Sequence, residues 1–193
     1  MESIFSVLIL NLCISAGLMT SVWIVSFRIR DVSIVDIAWG AAGATLAVTT
    51  YFLADGDPAR KLLLMGMTVL WGGRLALHIA VRSRGKGEDF RYAAMRARAP
   101  ESFPLRSLVT VFLLQAVLIW TISLPAQVAQ FPETPRGLTL LDFLGLGVWA
   151  VGFAMEVLAD AQLQGFLADP ANRGKAMTCL LYTSDAADDS VLV

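Results

Sequence analysis

Long apolar runs alternate with short polar segments along this chain of 193 residues. A helix needs about 20 apolar residues to cross a bilayer, because its backbone polar groups must be hydrogen-bonded within the helix there. Runs of that length lie at about 4–27, 32–54, 62–82, 108–131 and 138–159. The pattern therefore predicts an all-α fold, a polytopic membrane helix bundle with five transmembrane helices.

The composition agrees with an integral membrane protein. Hydrophobic residues make up 56% of the chain and charged residues 16%, whereas soluble domains carry about 25% charged residues. A net charge of −1 leaves no basic field for a nucleic-acid partner. Cys13 and Cys179 have neither the number of a disulfide framework nor the spacing of a metal site, so no bound metal is expected.

Basic residues are concentrated in every second loop. One set follows the first, third and fifth runs: Arg28, Arg30, Arg82, Arg84, Lys86, Arg91, Arg96, Arg98, Arg106, Arg173 and Lys175. The opposite loops hold Arg60, Lys61 and Arg136. Because cytoplasmic loops are enriched in lysine and arginine, the N-terminus is expected outside and the first set of loops in the cytoplasm.

Two of the apolar runs contain acids that are costly near hydrocarbon, about 2.5–3.5 kcal/mol at a helix centre. Asp36 lies one turn into the second run and is followed by the small residues 40–44. Small residues let a neighbouring helix approach, so Asp36 is expected to point into the bundle. The alternative is an interfacial acid close to the lipid headgroups.

The third run has a polar face. Trp71, Arg74, His78 and Arg82 follow at spacings of three, four and four, which places them on one side of a helix. An arginine among apolar neighbours keeps its charge and needs an acidic partner. Asp36, an acid in the preceding apolar run, is the candidate. The alternative is an Asp36–Arg74 pair with a structural role only.

The fifth run repeats this arrangement with Glu156, Asp160 and Gln164. If this face lines a cavity, Asp160 could accept hydrogen bonds from a ribose or an amide. The alternative is an amphipathic helix end that emerges into water.

Two basic segments are predicted on the cytoplasmic side. The loop 82–92 flanks Gly85-Lys86-Gly87 with arginines, and residues 172–175 read Asn-Arg-Gly-Lys. Arginine and lysine bind phosphate groups. Basic inner loops also follow from topology and from attraction to anionic lipids, so this indication is weak for either segment alone.

Together these residues resemble the bacterial branch of the steroid 5-alpha-reductase family from about residue 30 to Met177. The matching motifs, in order, are Val32-Ser33-Ile34-Val35-Asp36 with Trp39-Gly40, Trp71-Gly72 with Arg74-Leu75, Gly85-Lys86-Gly87-Glu88-Asp89 with Arg91-Tyr92, and Glu156, Asp160, Gln162-Leu163, Phe166, Asn172 and Gly174-Lys175.

The resemblance implies an NADPH-dependent reductase of a carbon–carbon double bond conjugated to a carbonyl in a lipophilic, steroid-like substrate. It implies about seven membrane helices, with the nucleotide on the cytoplasmic side of a bacterial inner membrane. The cofactor contacts it implies are Asp160, Asn172, Arg173, Lys175, Arg82 and Arg84. Asp36 and Trp71 fall where the family places groups near the substrate carbonyl.

Asp36 is the candidate catalytic residue on chemical grounds as well. Delivery of a hydride to an enone pushes negative charge onto the carbonyl oxygen, so a donor held there stabilises the transition state. A desolvated carboxyl that stays protonated could be that donor. Asp36 is therefore expected to act as a hydrogen-bond donor to the substrate.

The family pattern stops after Met177. Residues 178–193 lack the expected Arg-His-Pro-Asn-Tyr run and further membrane helices, and they resemble translated adapter sequence at the end of a gene fragment. We therefore expect a reductase-like domain at 1–177 and an artefactual, poorly ordered tail at 178–193. A fragment of this kind is expected to bind cofactor poorly or not at all, and its own activity does not follow from the sequence.

Two other functions are compatible with the residues. One is a membrane methyltransferase of the isoprenylcysteine type, which also binds an adenine-containing cofactor. The other is a non-enzymatic membrane scaffold whose buried charges only hold the helices in register. The substrate and the oligomeric state do not follow from the sequence.

Overall fold

The computed structural model describes residues 3–85, 87–172, 174–175 and 177. Within these ranges all regular structure is helical. The helices are α1 (Ile4–Ile29), α2 (Ile34–Leu53), α3 (Pro58–Ser83), α4 (Phe90–Arg98), α5 (Phe103–Ser107), a π-helix (Leu108–Leu113), α6 (Leu114–Val128), α7 (Leu140–Ala168) and a 3-10 turn (Pro170–Asn172). The all-α prediction is confirmed.

Five helical stretches in the described chain are long and apolar enough to cross a membrane. They are α1, α2, α3, the continuous stretch Phe103–Val128, and α7. This confirms the predicted spans, although the fourth begins at Phe103 and not near residue 108, and two further boundaries differ. Helix α3 begins at Pro58 because Asp57 caps it, accepting hydrogen bonds from the backbone N–H groups of Ala59 (3.1 Å) and Arg60 (3.0 Å).

The other boundary is the end of α7, which lies at Ala168 and not near residue 159. Residues 160–168 are too polar to belong to an apolar run, yet most of them favour a helix. A hydrophobic pattern therefore finds the membrane-spanning part of this helix but not its whole length.

The chain divides into two compact units, Met1–Leu138 and Thr139–Val193. In the first unit α2 is the central helix and contacts α1, α3 and α6. Its buried residues include Val35 and Leu46, which join a core with Met19, Phe112 and Ile119. The small and apolar face of α2 thus organises the bundle that holds the candidate site.

Helices α2 and α3 touch through glycine. A Cβ atom built on Gly40 would lie 2.1 Å from the carbonyl oxygen of Gly72, and one on Gly72 would lie 2.3 Å from that of Gly40. No side chain fits at either position. The prediction that the small residues after Asp36 let a neighbouring helix approach is therefore confirmed.

Hydrogen bonds from side chains to backbone carbonyl oxygens connect α1 to α6. The indole Nε1 of Trp120 donates to the carbonyl oxygen of Leu8 at 2.9 Å, and the Ser15 hydroxyl donates to that of Ala116 at 2.9 Å. Pro125 lies inside α6, and the helix ends three residues later at Val128. A proline commonly ends a helix, and α6 continues for less than one turn beyond it.

The second unit begins with a capping box. The Thr139 hydroxyl accepts from the backbone N–H of Asp142 (3.4 Å), and the Asp142 carboxylate accepts from the backbone N–H of Thr139 (2.7 Å). Along α7, the rings of Trp149 and Phe153 stack with centroids 4.9 Å apart. Helix α7 ends before Asp169-Pro170, where the 3-10 turn follows.

Candidate functional site

The loop between α3 and α4 is fastened to the first turn of α2. The backbone N–H of Asp89 donates to the Ser33 hydroxyl at 2.7 Å, and the Glu88 carboxylate accepts from the backbone N–H of Val32 at 3.0 Å. These contacts satisfy backbone groups at the start of two helices. They fix residues 87–92 over the end of α2 that carries Asp36.

Glu88 is held from the other side by Arg96. Two hydrogen bonds, of 2.7 and 3.0 Å, join the guanidinium to the carboxylate, and the guanidinium also lies over the ring of Phe103, 4.6 Å from its centroid. Burial alone would raise the pKa of Glu88, but the bonds from Arg96 and Val32 outweigh it and hold this pKa below its ordinary value. Glu88 is therefore ionised and joins the loop, α4 and α2.

Asp36 lies at the centre of a second set of contacts. The Tyr92 hydroxyl donates to its Oδ1 at 3.0 Å, and Nη2 of Arg91 lies 3.3 Å from its Oδ2. Arg91 also binds Asp89 through Nε at 2.9 Å. Burial and the neighbouring negative charge of Asp36 raise the pKa of Tyr92, so this phenol stays neutral and keeps its proton available to Asp36.

These groups border a cleft of about 540 Å³. It is lined by the polar side chains of Ser33, Asp36, Arg82, Ser83, Asp89 and Arg91 and by the apolar side chains of Trp39, Leu75 and Ile79. Gln115 also lines it and accepts a 2.6 Å hydrogen bond from the indole of Trp39. A lining that combines charged, polar and apolar side chains suits a ligand with a polar end and an apolar body.

The sequence-predicted residues of the first unit are only partly brought together. Asp36 and Arg82 both line the cleft. Trp71 lies on α3 one turn before Leu75, outside the residues that line the cleft. Arg84 follows the last residue of α3 and is its C-cap.

The suggested partner of Asp36 was wrong. Its ion pair is formed with Arg91, not with Arg74. Because Gly40 faces Gly72 and Ala76 across the helix contact, Asp36, one turn before Gly40, lies beyond the level of Arg74. The register of the two helices therefore carries Asp36 to the cleft and to α4.

The remaining cofactor candidates belong to the second unit. Asp160 lies within α7, and the Asn172 side chain donates to the carbonyl oxygen of Phe166 at 3.1 Å. Asn172 and Lys175 line a hollow of about 270 Å³ at the end of α7. Arg173 and the tail 178–193 lie outside the described residues. A shared site for Asp160, Asn172 and Asp36 stays a prediction.

Sequence reasoning missed the role of α4. Glu88, Arg91 and Tyr92 belong to the motif at residues 85–92, whose pattern alone predicts no site role for them. The available indication was Asp89 before an amphipathic stretch, since aspartate is a preferred N-cap; here it accepts from the backbone N–H of Arg91 at 2.9 Å.

Comparisons with known proteins match most of the chain. A family profile described as "Protein of unknown function (DUF1295)" matches residues 22–184. An uncharacterized protein of Schizosaccharomyces pombe is 26% identical over 161 residues, which cover 80% of this chain and 46% of the relative. The chain thus spans about half the length of this curated relative. No solved structure matches it significantly.

Proposed function

We propose that this chain, which belongs to the DUF1295 family, is part of an NADPH-dependent reductase of a conjugated carbon–carbon double bond in a lipophilic, steroid-like substrate. The family includes steroid 5-alpha-reductase-like proteins. The observation that carries the proposal is the set of contacts around Asp36, where a carboxylate, a phenol and a guanidinium meet beside a cleft with an apolar wall.

The cleft has the polarity that such a substrate requires. Trp39, Leu75 and Ile79 offer apolar surface for a fused-ring or polyprenyl body, and the polar lining residues offer hydrogen-bond donors for a carbonyl. Binding of apolar surface supplies most of the affinity for a ligand of this kind, while a few polar groups fix its orientation. We assign the carbonyl end to the side that holds Arg91.

Arg91 is the preferred donor to the carbonyl oxygen. Asp36 accepts hydrogen bonds from both Tyr92 and Arg91, so we assign it to holding the donor, and donation by Asp36 itself stays the sequence-based hypothesis. Arg91 uses Nε and Nη2 for its two carboxylate partners, and its Nη1 makes no hydrogen bond within the described chain. A positive donor aimed at the developing oxyanion stabilises the transition state more than the ground state.

Tyr92 and Asp36 then have positioning roles. Tyr92 is buried and does not line the cleft, so it acts on the substrate through Asp36. Together with Asp89, Asp36 fixes the guanidinium of Arg91 from two sides. The orientation of the donor is therefore set before the substrate binds, which is the condition for electrostatic preorganisation.

The side chains present fit a nucleotide cofactor in their chemistry. Arg82 lines the cleft and makes no ion pair within the described ranges, so its guanidinium is available for a phosphate. Asn172 and Lys175 line the hollow of the second unit, and Arg84 and Asp160 are further candidates. NADPH, when bound, would supply the hydride.

The proposal is tested with the purified chain in detergent micelles. Binding of a 3-oxo-4-ene steroid is followed by the fluorescence of Trp39, with Trp39→Phe as the control for assignment, and turnover by consumption of NADPH. Arg91→Gln should reduce turnover much more than steroid binding, and Arg136→Gln, an exposed arginine outside the cleft, should change neither.

Two results would contradict the proposal. Methyl transfer from S-adenosylmethionine without NADPH consumption would favour the methyltransferase alternative. Failure of the chain to bind the steroid would favour the scaffold alternative, because the cleft that should hold it lies within the described residues.

A further inference from the structure

A second polar cluster lies in the first unit, near the end of α2 that is remote from the cleft. It joins α1, α2 and α6 and consists of Asn11, Thr50, Gln127 and Gln130, whose exposed fractions are 0%, 0%, 0% and 1%. Fully buried amides in a membrane bundle need partners for every polar atom, since no solvent reaches them. The hydrogen bonds of this cluster can therefore be assigned atom by atom.

The orientation of the Asn11 amide is fixed by its neighbours. The Thr50 hydroxyl donates to the carbonyl oxygen of Leu46 at 2.8 Å, so it accepts from Nδ2 of Asn11 at 2.8 Å. The same Nδ2 donates to Oε1 of Gln127 at 2.7 Å, and Nε2 of Gln127 donates to Ser123 at 2.7 Å. Both Asn11 amide hydrogens are used, and its Oδ1 receives no hydrogen bond from the described residues.

The side-chain oxygen of Gln130 also lacks a hydrogen-bond donor among the described residues, for a different reason. Its Nε2 lies 3.2 Å from the carbonyl oxygen of Ala126 and 3.5 Å from that of Ala47. Reversing the amide would place an oxygen against two oxygens, so Nε2 must occupy this position. The Oε1 of Gln130 is then a second buried acceptor that no donor in the described chain reaches.

Both acceptors are associated with the same turn of α2. Asn11 binds Thr50, and Gln130 approaches the carbonyl oxygen of Ala47, three residues earlier on the same face of the helix. We propose that one buried water molecule bridges Asn11 Oδ1 and Gln130 Oε1 and donates one hydrogen bond to each. Two acceptors match the two hydrogens of water, and buried waters commonly satisfy such atoms.

Thermal unfolding of the full chain tests this with Asn11→Leu, Gln130→Met and the double variant. If one water serves both oxygens, either single change releases it. The loss of Tm in the double variant is then clearly smaller than the sum of the two single losses. The control pair is Ser123→Ala with Gln130→Met. Ser123 lies in the same network, but its hydroxyl is not one of the two oxygens assigned to the water, so the two losses of Tm should add.

Additive losses for Asn11 and Gln130, or a higher Tm for Gln130→Met alone, would overturn the proposal. The second result would mean that the Gln130 oxygen has no ligand at all. A wild-type Tm that rises in sodium chloride over choline chloride at equal ionic strength, with no rise in Gln130→Met, would replace the water with a cation. An independent check on the wild-type chain is a long-lived water cross-peak to the Gln130 side-chain amide in NMR spectra, and its absence would also refute the bridge.

Discussion

The hydroxyl of Tyr92 on α4 lies 3.0 Å from Oδ1 of Asp36 on α2, although 56 residues separate the two in sequence. Tyr92 is buried, with 7% of its surface exposed, and it is the one buried residue among those of α4. A short helix outside the apolar runs therefore inserts one side chain to hold an acid that lies inside one of them.

Tyr92→Phe should destabilise the chain by about 1–2 kcal/mol, because a partly buried carboxylate loses one of its donors. The free energy of unfolding in denaturant measures this. If Asp36 positions Arg91 as proposed, turnover should fall while steroid binding stays within a few-fold of wild type. Tyr51→Phe is the matched control, since the described structure gives the Tyr51 hydroxyl no hydrogen bond. Equal effects of the two changes would refute the assigned role of Tyr92.

Gly40→Ala should lower the free energy of unfolding by about 3 kcal/mol, the upper part of the range for overpacked sites. The reason is that the added methyl carbon would lie 2.1 Å from the backbone carbonyl oxygen of Gly72. A backbone atom cannot move aside as the end of a flexible side chain can. Gly43→Ala is the control on the same helix, because nothing lies within 4 Å of its added Cβ. That variant should be neutral or more stable by up to about 1 kcal/mol, from helix propensity.

Glu88→Gln should make the stability of the chain less dependent on pH in the acid range. The folded-state pKa of Glu88 is lowered from 4.5, so its contribution is complete above pH 4.5 and is lost as the pH falls through the folded value. The difference in Tm between wild type and Glu88→Gln should be largest at neutral pH and shrink below pH 4.5. Glu133→Gln, in an exposed loop, provides the comparison; a difference that grows towards acid pH would contradict the role of Glu88.

Arg82→Gln should weaken nucleotide binding by about tenfold, the value of one lost charge-assisted hydrogen bond. Titration of NADPH fluorescence with the chain in micelles measures the Kd. Arg84→Gln should have a smaller effect, because Arg84 caps α3 and does not line the cleft. A larger loss for Arg84 than for Arg82 would move the phosphate contact out of the cleft.

The membrane spans could be predicted because the property that defines them is local. A run of about 20 apolar residues has few alternatives to a spanning helix, and the caps that shift its ends, such as Asp57-Pro58, are also local. Boundaries were less certain where a helix continues into polar sequence, as α7 does after residue 159.

The candidate site was less accessible to such reasoning because its contacts join distant segments. Asp36 could be selected as a costly acid in an apolar run, but its partner depends on the register of α2 against α3. That register is set by the contact of Gly40 with Gly72, and it directs Asp36 to Arg91 and Tyr92. The sequence suggested Arg74 as the partner, and only the packing reveals Arg91 in that place.

The pairing of Glu88 with the backbone of Val32 has a consequence for building chimeras of this family. Four hydrogen bonds join the segments 31–36 and 87–96: one from Val32 to Glu88, one from Asp89 to Ser33, and one each from Arg91 and Tyr92 to Asp36. They are two pieces of sequence but one exchangeable module. Grafting either segment alone from a relative with a different loop should break these hydrogen bonds. Transferring both segments together should preserve the bonds and transfer the specificity of the cleft.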